Sequence, residues 1–141
     1  ADFIAGEGKI HILSITPTLA GYGAGALIKA ATGVDLTRYA ILDAMGKTPE
    51  LPQMVQPKPA AMVLLSVPKA GRLTFDASAA EGFLDIPWIR DLRWDKPAGA
   101  SVRAHASSDR RVGQFTVLAQ DRDQLDARIA EALRRLNVRA Q

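Results

Sequence analysis

The chain predicts an α+β fold, an antiparallel β-sheet with packed helices, and three observations carry that prediction. Residues 1–5 and 9–15 are apolar runs joined by the tight Gly6-Glu7-Gly8 turn, the pattern of a short hairpin. Between residues 60 and 120, apolar or alternating runs of strand length recur, each closed by a turn-forming cluster. In the last segment Leu125, Ile129, Leu133 and Leu136 fall on one helical stripe, which suits a helix covering one face of the sheet.

Each element has a local reason. Residues 25–32 predict a helix with Gly33 at its carboxyl stop, and Asp35 caps a second helix over 36–45 that Gly46 ends. Residues 47–59 hold four of the eight prolines, Pro49, Pro52, Pro57 and Pro59, so they sustain neither a helix nor a central strand. They predict an extended connector. Beyond it, strands over 60–67 and 72–76 around the Pro68-Lys69-Ala70-Gly71 turn read as a second hairpin. Three more strands follow over 88–94, 101–106 and 113–120, separated by the turns at Lys96-Pro97-Ala98-Gly99 and residues 108–111. Asp121 then caps the final helix, and Phe115, Val117 and Ala119 share the strand face that would meet it. Trp88 and Trp94, at even spacing, are expected on one face as packing or contact residues.

Composition bounds the function. A length of 141 residues suits one domain with a real core, and 48% hydrophobic with 23% charged residues is ordinary globular composition. No apolar run approaches the roughly 20 residues of a membrane span, so a soluble, cytoplasmic protein with no membrane partner is expected. Cysteine is absent, which removes disulfides, thiolate metal sites and thiol nucleophiles. The opening Ala1-Asp2-Phe3-Ile4 does not read as a signal peptide and looks like a chain entered in mid-fold. Net charge is +3 and the pI is about 9.5, yet the arginines of the last segment are interspersed with Asp121, Asp123, Asp126 and Glu131. Acids lead and bases follow, the order a helix dipole favours, so a solvated helix face is expected in place of a nucleic-acid surface. The turn at 107–111 is a second basic spot that carries its own acid, Asp109.

Familiar catalytic patterns are missing. His11 sits in an apolar strand and His105 has no patterned partner, so no metal motif forms, and no Gly-x-Ser-x-Gly elbow occurs. Asp76, Glu81 and Asp85 could pair as carboxylates, but loop acids of this kind are mostly solvated. The segment most suggestive of chemistry is 9–35, where a strand runs through a Gly-punctuated loop into a helix. Thr16, Thr18 and the loop glycines Gly21, Gly23 and Gly25 can cradle an anion, because glycine lets backbone N–H groups approach closely and the helix offers its positive end. Glycines at alternate positions equally permit a sharp reversal and nothing more.

Several segments stand in a telling order: the strand with Ser14, Thr16 and Thr18; Ala31-Thr32-Gly33-Val34-Asp35-Leu36; Leu42-Asp43-Ala44-Met45-Gly46; Lys96-Pro97-Ala98-Gly99; and Asp109-Arg110-Arg111-Val112-Gly113. That order resembles the C-terminal part of the ATP-grasp family, closest to its carboxylate-amine ligases that join amino acids. The resemblance implies that residues 1–46 are the end of the catalytic lobe, 47–59 a connector and 60–141 a C-terminal β-rich subdomain, packed as one domain. It further places a Glu-x-Asn-x-Arg pattern where this chain has Ser14, Thr16 and Thr18, so the family's metal positions carry hydroxyls, poor substitutes for a carboxylate on magnesium. The glycine-rich flap and adenine-binding strand of the family have no counterpart in these residues. The expectation is a fragment, split subunit or relic of an ATP-grasp ligase that is not competent alone and serves as an interaction or structural module. The alternative is part of an active ligase, using ATP and magnesium, completed by an upstream or partner chain. In a whole ligase the first two strands join a larger sheet, so a homo-oligomer or partner chain is expected to cover them.

Overall fold

The computed structural model describes residues 2–16, 18–19, 21, 23–50, 56–106 and 110–141. Strands β1 (Asp2–Gly6) and β2 (Lys9–Ser14) pair antiparallel with each other, as the apolar runs predict. Glu7 and Gly8 turn the chain with φ of 52° and 71°, the two-residue reversal whose twist matches that of the flanking strands. Helix α1 (Ala24–Thr32) ends at Gly33, whose left-handed backbone lets its N–H reach the Lys29 carbonyl. Helix α2 (Leu36–Ala44) starts at Asp35, whose side chain accepts from the Arg38 N–H at 3.1 Å. Lys29 Nζ donates to the same carboxylate at 2.7 Å and ties the two helices together. That contact, then the Arg38 amide, holds the Asp35 carboxyl below its ordinary value. Residues 47–50 and 56–59 carry neither helix nor strand, in keeping with the prolines, and 51–55 lie outside the described residues, as does Ala1.

The remaining elements are β3 (Ala60–Leu65), β4 (Gly71–Thr74), α3 (Ala77–Glu81), a 3-10 turn (Phe83–Asp85), β5 (Ile89–Trp94), β6 (Ser101–Val102), β7 (Gly113–Leu118), α4 (Arg122–Leu136) and β8 (Arg139–Ala140). They form two antiparallel sheets, ordered β3-β7-β5 and β6-β4-β8. The expected hairpin of β3 with β4 therefore does not form. The Leu65 carbonyl accepts from Val112 and the Val67 carbonyl from His105, at 2.8 and 2.9 Å, so later segments occupy the edge that β4 would have used. Residues 66–70 carry the chain into the second sheet instead. The strand expected over 101–106 shrinks to Ser101 and Val102, which pair with Arg72 and Gly71. β4 stops at Thr74 because Asp76 turns to cap α3, accepting from the Ala79 N–H at 2.9 Å. That helix, the 3-10 turn and β8 are too short to leave a periodic trace.

The core lies wholly between Leu65 and Ala140, where one face of β3-β7-β5 meets α4 and the second sheet. Phe83 packs edge-on against Phe115, with ring centroids 5.3 Å apart. The stripe on α4 is Leu125, Ile129, Ala132 and Leu136. Leu133 is 41% exposed, contrary to expectation. At about 100° per residue, a step of seven from Leu125 returns close to the same face while a step of eight overshoots by roughly 80°. The two tryptophans also divide. A bulge between Ile89 and Asp91 adds a residue and changes the parity of β5. Trp94 stacks on Phe75 at 3.9 Å, whereas the Arg128 guanidinium lies 5.4 Å over Trp88. No described helix is long and apolar enough to cross a membrane.

Gly113 has no room for a side chain: a Cβ there would sit 2.6 Å from the Arg93 carbonyl oxygen and 3.1 Å from Trp94. Gly113→Ala is expected to cost about 2 kcal/mol in urea unfolding, as overpacking does. Gly82→Ala, where nothing lies within 4 Å of the added carbon, should be neutral or slightly stabilising in the same assay. The Ala79 amide, then the Ser78 hydroxyl, holds the Asp76 carboxyl low as well. Because the folded values of Asp35 and Asp76 lie below the unfolded ones, their contribution is present above the ordinary carboxylate range and is lost as pH falls through the folded values. Asp76→Asn keeps a capping oxygen but cannot titrate, so its urea midpoint should fall less than that of the parent between about pH 5 and pH 3.

Candidate functional site

The loop from β2 to α1 is where sequence and structure meet most closely. Ser14, the last residue of β2, donates its hydroxyl to Asp2 Oδ2 on β1 at 2.6 Å. Thr16 and Thr18 follow, both exposed, while Pro17, Ala20 and Tyr22 lie outside the described residues. The Gly21 carbonyl accepts from the Ala24 N–H at 3.2 Å, and the Gly23 carbonyl takes the Leu27 N–H as the first bond of α1. No side chain caps this helix end. Its leading amides are therefore turned toward the loop, the arrangement that favours an anion.

The three glycines differ in what they require. Gly23 has φ 80°, and a Cβ there would lie 3.1 Å from Met62 Sδ and 3.5 Å from Gln114 Nε2, so both backbone and packing demand glycine. Gly25 would meet only Thr37 Oγ1 at 3.9 Å, an ordinary contact, and Gly21 faces open space. Of the loop glycines, Gly23 alone is fixed by its surroundings.

Beneath this helix end runs a buried polar strip that sequence reasoning missed. Gln114 is 9% exposed and Thr116 3%, both on the face of β7 turned toward α1. In register, Gln114 lies between Leu64 and Arg93, and Thr116 between Met62 and Asp91. Gln114 Oε1 and Asp91 Oδ1 are buried without a hydrogen-bond partner. Two acceptors with no donor are costly in a sheet interior and suit a site that receives a donor from elsewhere. Alternation along β7 hid them, because both residues read as the solvent face of a one-sided sheet.

The hydroxyl positions do not make a magnesium site. Asp2 is the one carboxylate beside Ser14, and it is engaged by that hydroxyl. Among the described residues no three His, Asp or Glu side chains gather as metal ligands, and hydroxyls are weak donors to a hard cation. His11 lies in β2 and is exposed, and Asp76 serves as a cap rather than as half of a carboxylate pair.

A family model, L-amino acid ligase C-terminal domain 2, matches residues 63–141, more than half of the chain. The chain belongs to that family. The match takes in both sheets and α4, and the hairpin and first two helices precede it. Solved structures extend the likeness in fold over nearly all of this ligase domain. Phosphoribosylglycinamide synthetase from Anaerococcus prevotii superposes with a TM-score of 0.80 at 14% identity, covering 99% of this chain and 36% of that one. L-amino acid ligase from Bacillus licheniformis gives 0.75 at 15% identity, over 96% of this chain and 34% of that one. N5-carboxyaminoimidazole ribonucleotide synthetase from Thermotoga maritima gives 0.59 at 21% identity, over 96% and 34%. No curated protein matches the chain. The domain thus spans about a third of the length of these relatives, and it corresponds to a C-terminal ATP-grasp-like part.

Gly23→Ala is expected to loosen α1 from the sheet at a cost of about 1 kcal/mol or more, read as faster hydrogen exchange across residues 24–32. Gly21→Ala should leave that exchange unchanged, since nothing surrounds the added carbon.

Proposed function

We propose that this domain is the non-catalytic C-terminal part of an ATP-grasp ligase, a structural and interaction module that works only against a surface covering its first hairpin. In this reading residues 1–46 end the catalytic lobe, 47–59 connect, and 60–141 form the C-terminal subdomain. The hairpin carries the proposal. Phe3, Ile4, Ile12 and Leu13 are each more than half exposed, and because neighbours in a strand point to opposite sides, both of its faces are apolar and uncovered. A two-stranded ribbon of this kind has little stability alone. A further sheet, from a longer chain, a second copy or a partner chain, supplies what it lacks. Ser14 and Thr16 stand where the ATP-grasp resemblance places metal ligands, which supports a module without the chemistry.

A second reading has its own observation. The helix end at Gly23, with the unpartnered Gln114 amide beneath it, keeps a place for an anionic group. Joined to a nucleotide-binding lobe, the domain would then belong to an ATP- and magnesium-dependent carboxylate-amine ligase. Such an enzyme activates a carboxylate as an acyl phosphate and captures it with an amine. Magnesium and nucleotide would be held mainly by the completing lobe.

Light scattering after size exclusion at high micromolar concentration is expected to return a species larger than the monomer, and Phe3→Lys with Ile12→Lys should reduce it to a monomer. A clean monomer for the parent would count against the uncovered hairpin as an interface. Calorimetric titration with Mg-ATP is expected to give no heat at millimolar nucleotide. Magnesium-dependent binding would favour the ligase reading instead.

A further inference from the structure

A cavity of about 210 Å³ opens where three separate stretches of chain converge: Lys96 after β5, Ser101 to Arg103 at and after β6, and Arg110 to Val112 before β7. Its floor is apolar, made by Val102 and Val112, which are 6% and 1% exposed. Its walls are basic. Lys96, Arg103, Arg110 and Arg111 all line it, with the Ser101 hydroxyl between them. In sequence these cations are spread over sixteen positions and look unrelated.

The acids do not balance them. Asp95 accepts from Arg111 Nε at 2.7 Å and from Arg93 Nη2 at 3.2 Å, so one carboxylate is shared by two guanidiniums. No described acid pairs with Lys96, Arg103 or Arg110, and Arg110 makes only a long 3.4 Å contact to the Ala104 carbonyl. Even if Asp109 of the same turn neutralised one of these charges, the cavity would remain strongly positive. The frame that gathers them is well fixed: the Asp95 and Lys96 amides both donate to the Val112 carbonyl, at 2.9 and 3.2 Å. Gathering like charges around a concave surface is unfavourable unless solvent or an anion compensates, and such a cleft focuses positive potential into itself.

We propose that this cavity binds the phosphate or pyrophosphate group of a small-molecule ligand, with Arg103, Arg110 and Lys96 contacting the anion, Ser101 donating a hydroxyl, and Val102 and Val112 seating the carbon skeleton. Guanidinium forks match phosphate oxygens in pairs, and Lys adds a mobile charge. Arg111, fixed by Asp95, sets the field and needs no movement. The site uses neither the hairpin nor the Gly23 loop, so it stands or falls apart from the proposed function.

Amide NMR of the full chain, titrated with inorganic pyrophosphate and separately with inorganic phosphate at about 0.15 M salt, tests it. Saturable shifts confined to residues 95–96, 101–104 and 110–112 are expected, with pyrophosphate tighter than phosphate and acetate without effect at equal ionic strength. Stronger saturation by ATP without magnesium than by pyrophosphate would identify a nucleotide as the source of the phosphate group, and the reverse order would point to the inorganic anion. Arg103→Ala with Lys96→Ala should weaken pyrophosphate about tenfold or more. Both side chains are exposed, so the fold survives, as unchanged circular dichroism would verify. Arg134→Ala on α4 removes a cation elsewhere and should change nothing. Shifts that fail to saturate, or equal weakening by Arg134→Ala, would overturn the site in favour of diffuse charge attraction.

Discussion

The structure depends on β7 being buried from both sides. Residues 113 to 117 are all buried, and the strand pairs with β3 on one edge and β5 on the other. Phe115 and Val117 face α4 and the core, while Gln114 and Thr116 face α1. A central strand with a helix on each face must satisfy two different neighbours at once. Here one side is apolar and the other polar, and the polar side is the one left with unpartnered oxygens. Gly113 opens the strand because the Arg93 backbone and the Trp94 ring already occupy the place of a side chain. The turn that carries Arg110 and Arg111 is thereby held close against the end of β5.

Around that strand the molecule is unevenly built. The buried hydrophobic residues all belong to the second half of the chain, whereas α1 and α2 have no fully buried residue and the hairpin is exposed throughout. α1 is nevertheless placed, through the close approach of Gly23 to Met62 and Gln114 and the bond from the Lys58 amide to the Ala31 carbonyl at 2.8 Å. The first half thus depends on the second for position. The family match over 63–141 follows the same division, since it covers the portion with its own core.

What the sequence disclosed was local. The hairpin turn, the glycine stops at Gly33 and Gly46, and the aspartate caps at Asp35 and Asp121 are decided by a few neighbouring residues, and all appear in the structure. Longer-range pairing was not legible: β3 and β4 are neighbours in sequence, yet each takes its partners from segments far along the chain. Single-residue phase was equally hidden, as with Leu133 against Ala132 on α4 and the bulge that separates Trp88 from Trp94. The loop candidates were placed by their glycines, but which glycine mattered depended on Met62 and Gln114 across space. The basic cavity could not be read at all, because the turn at residues 107–111 seemed balanced until Lys96 and Arg103 were brought beside it.

The position of β7 late in the chain also sets a schedule. During synthesis β3 and β5 leave the ribosome before the strand that lies between them, so each waits with both edges unpaired until residues 113–118 emerge. Ala60–Leu65 is wholly apolar, and in that interval it is a short uncharged strand seeking any edge. The proline-rich stretch just ahead of it cannot join such pairing and limits how far a mistaken sheet could spread. Folding of this domain is therefore a late closure around the middle strand, slow because its contacts are distant in sequence, and the chain is most vulnerable shortly before it is finished.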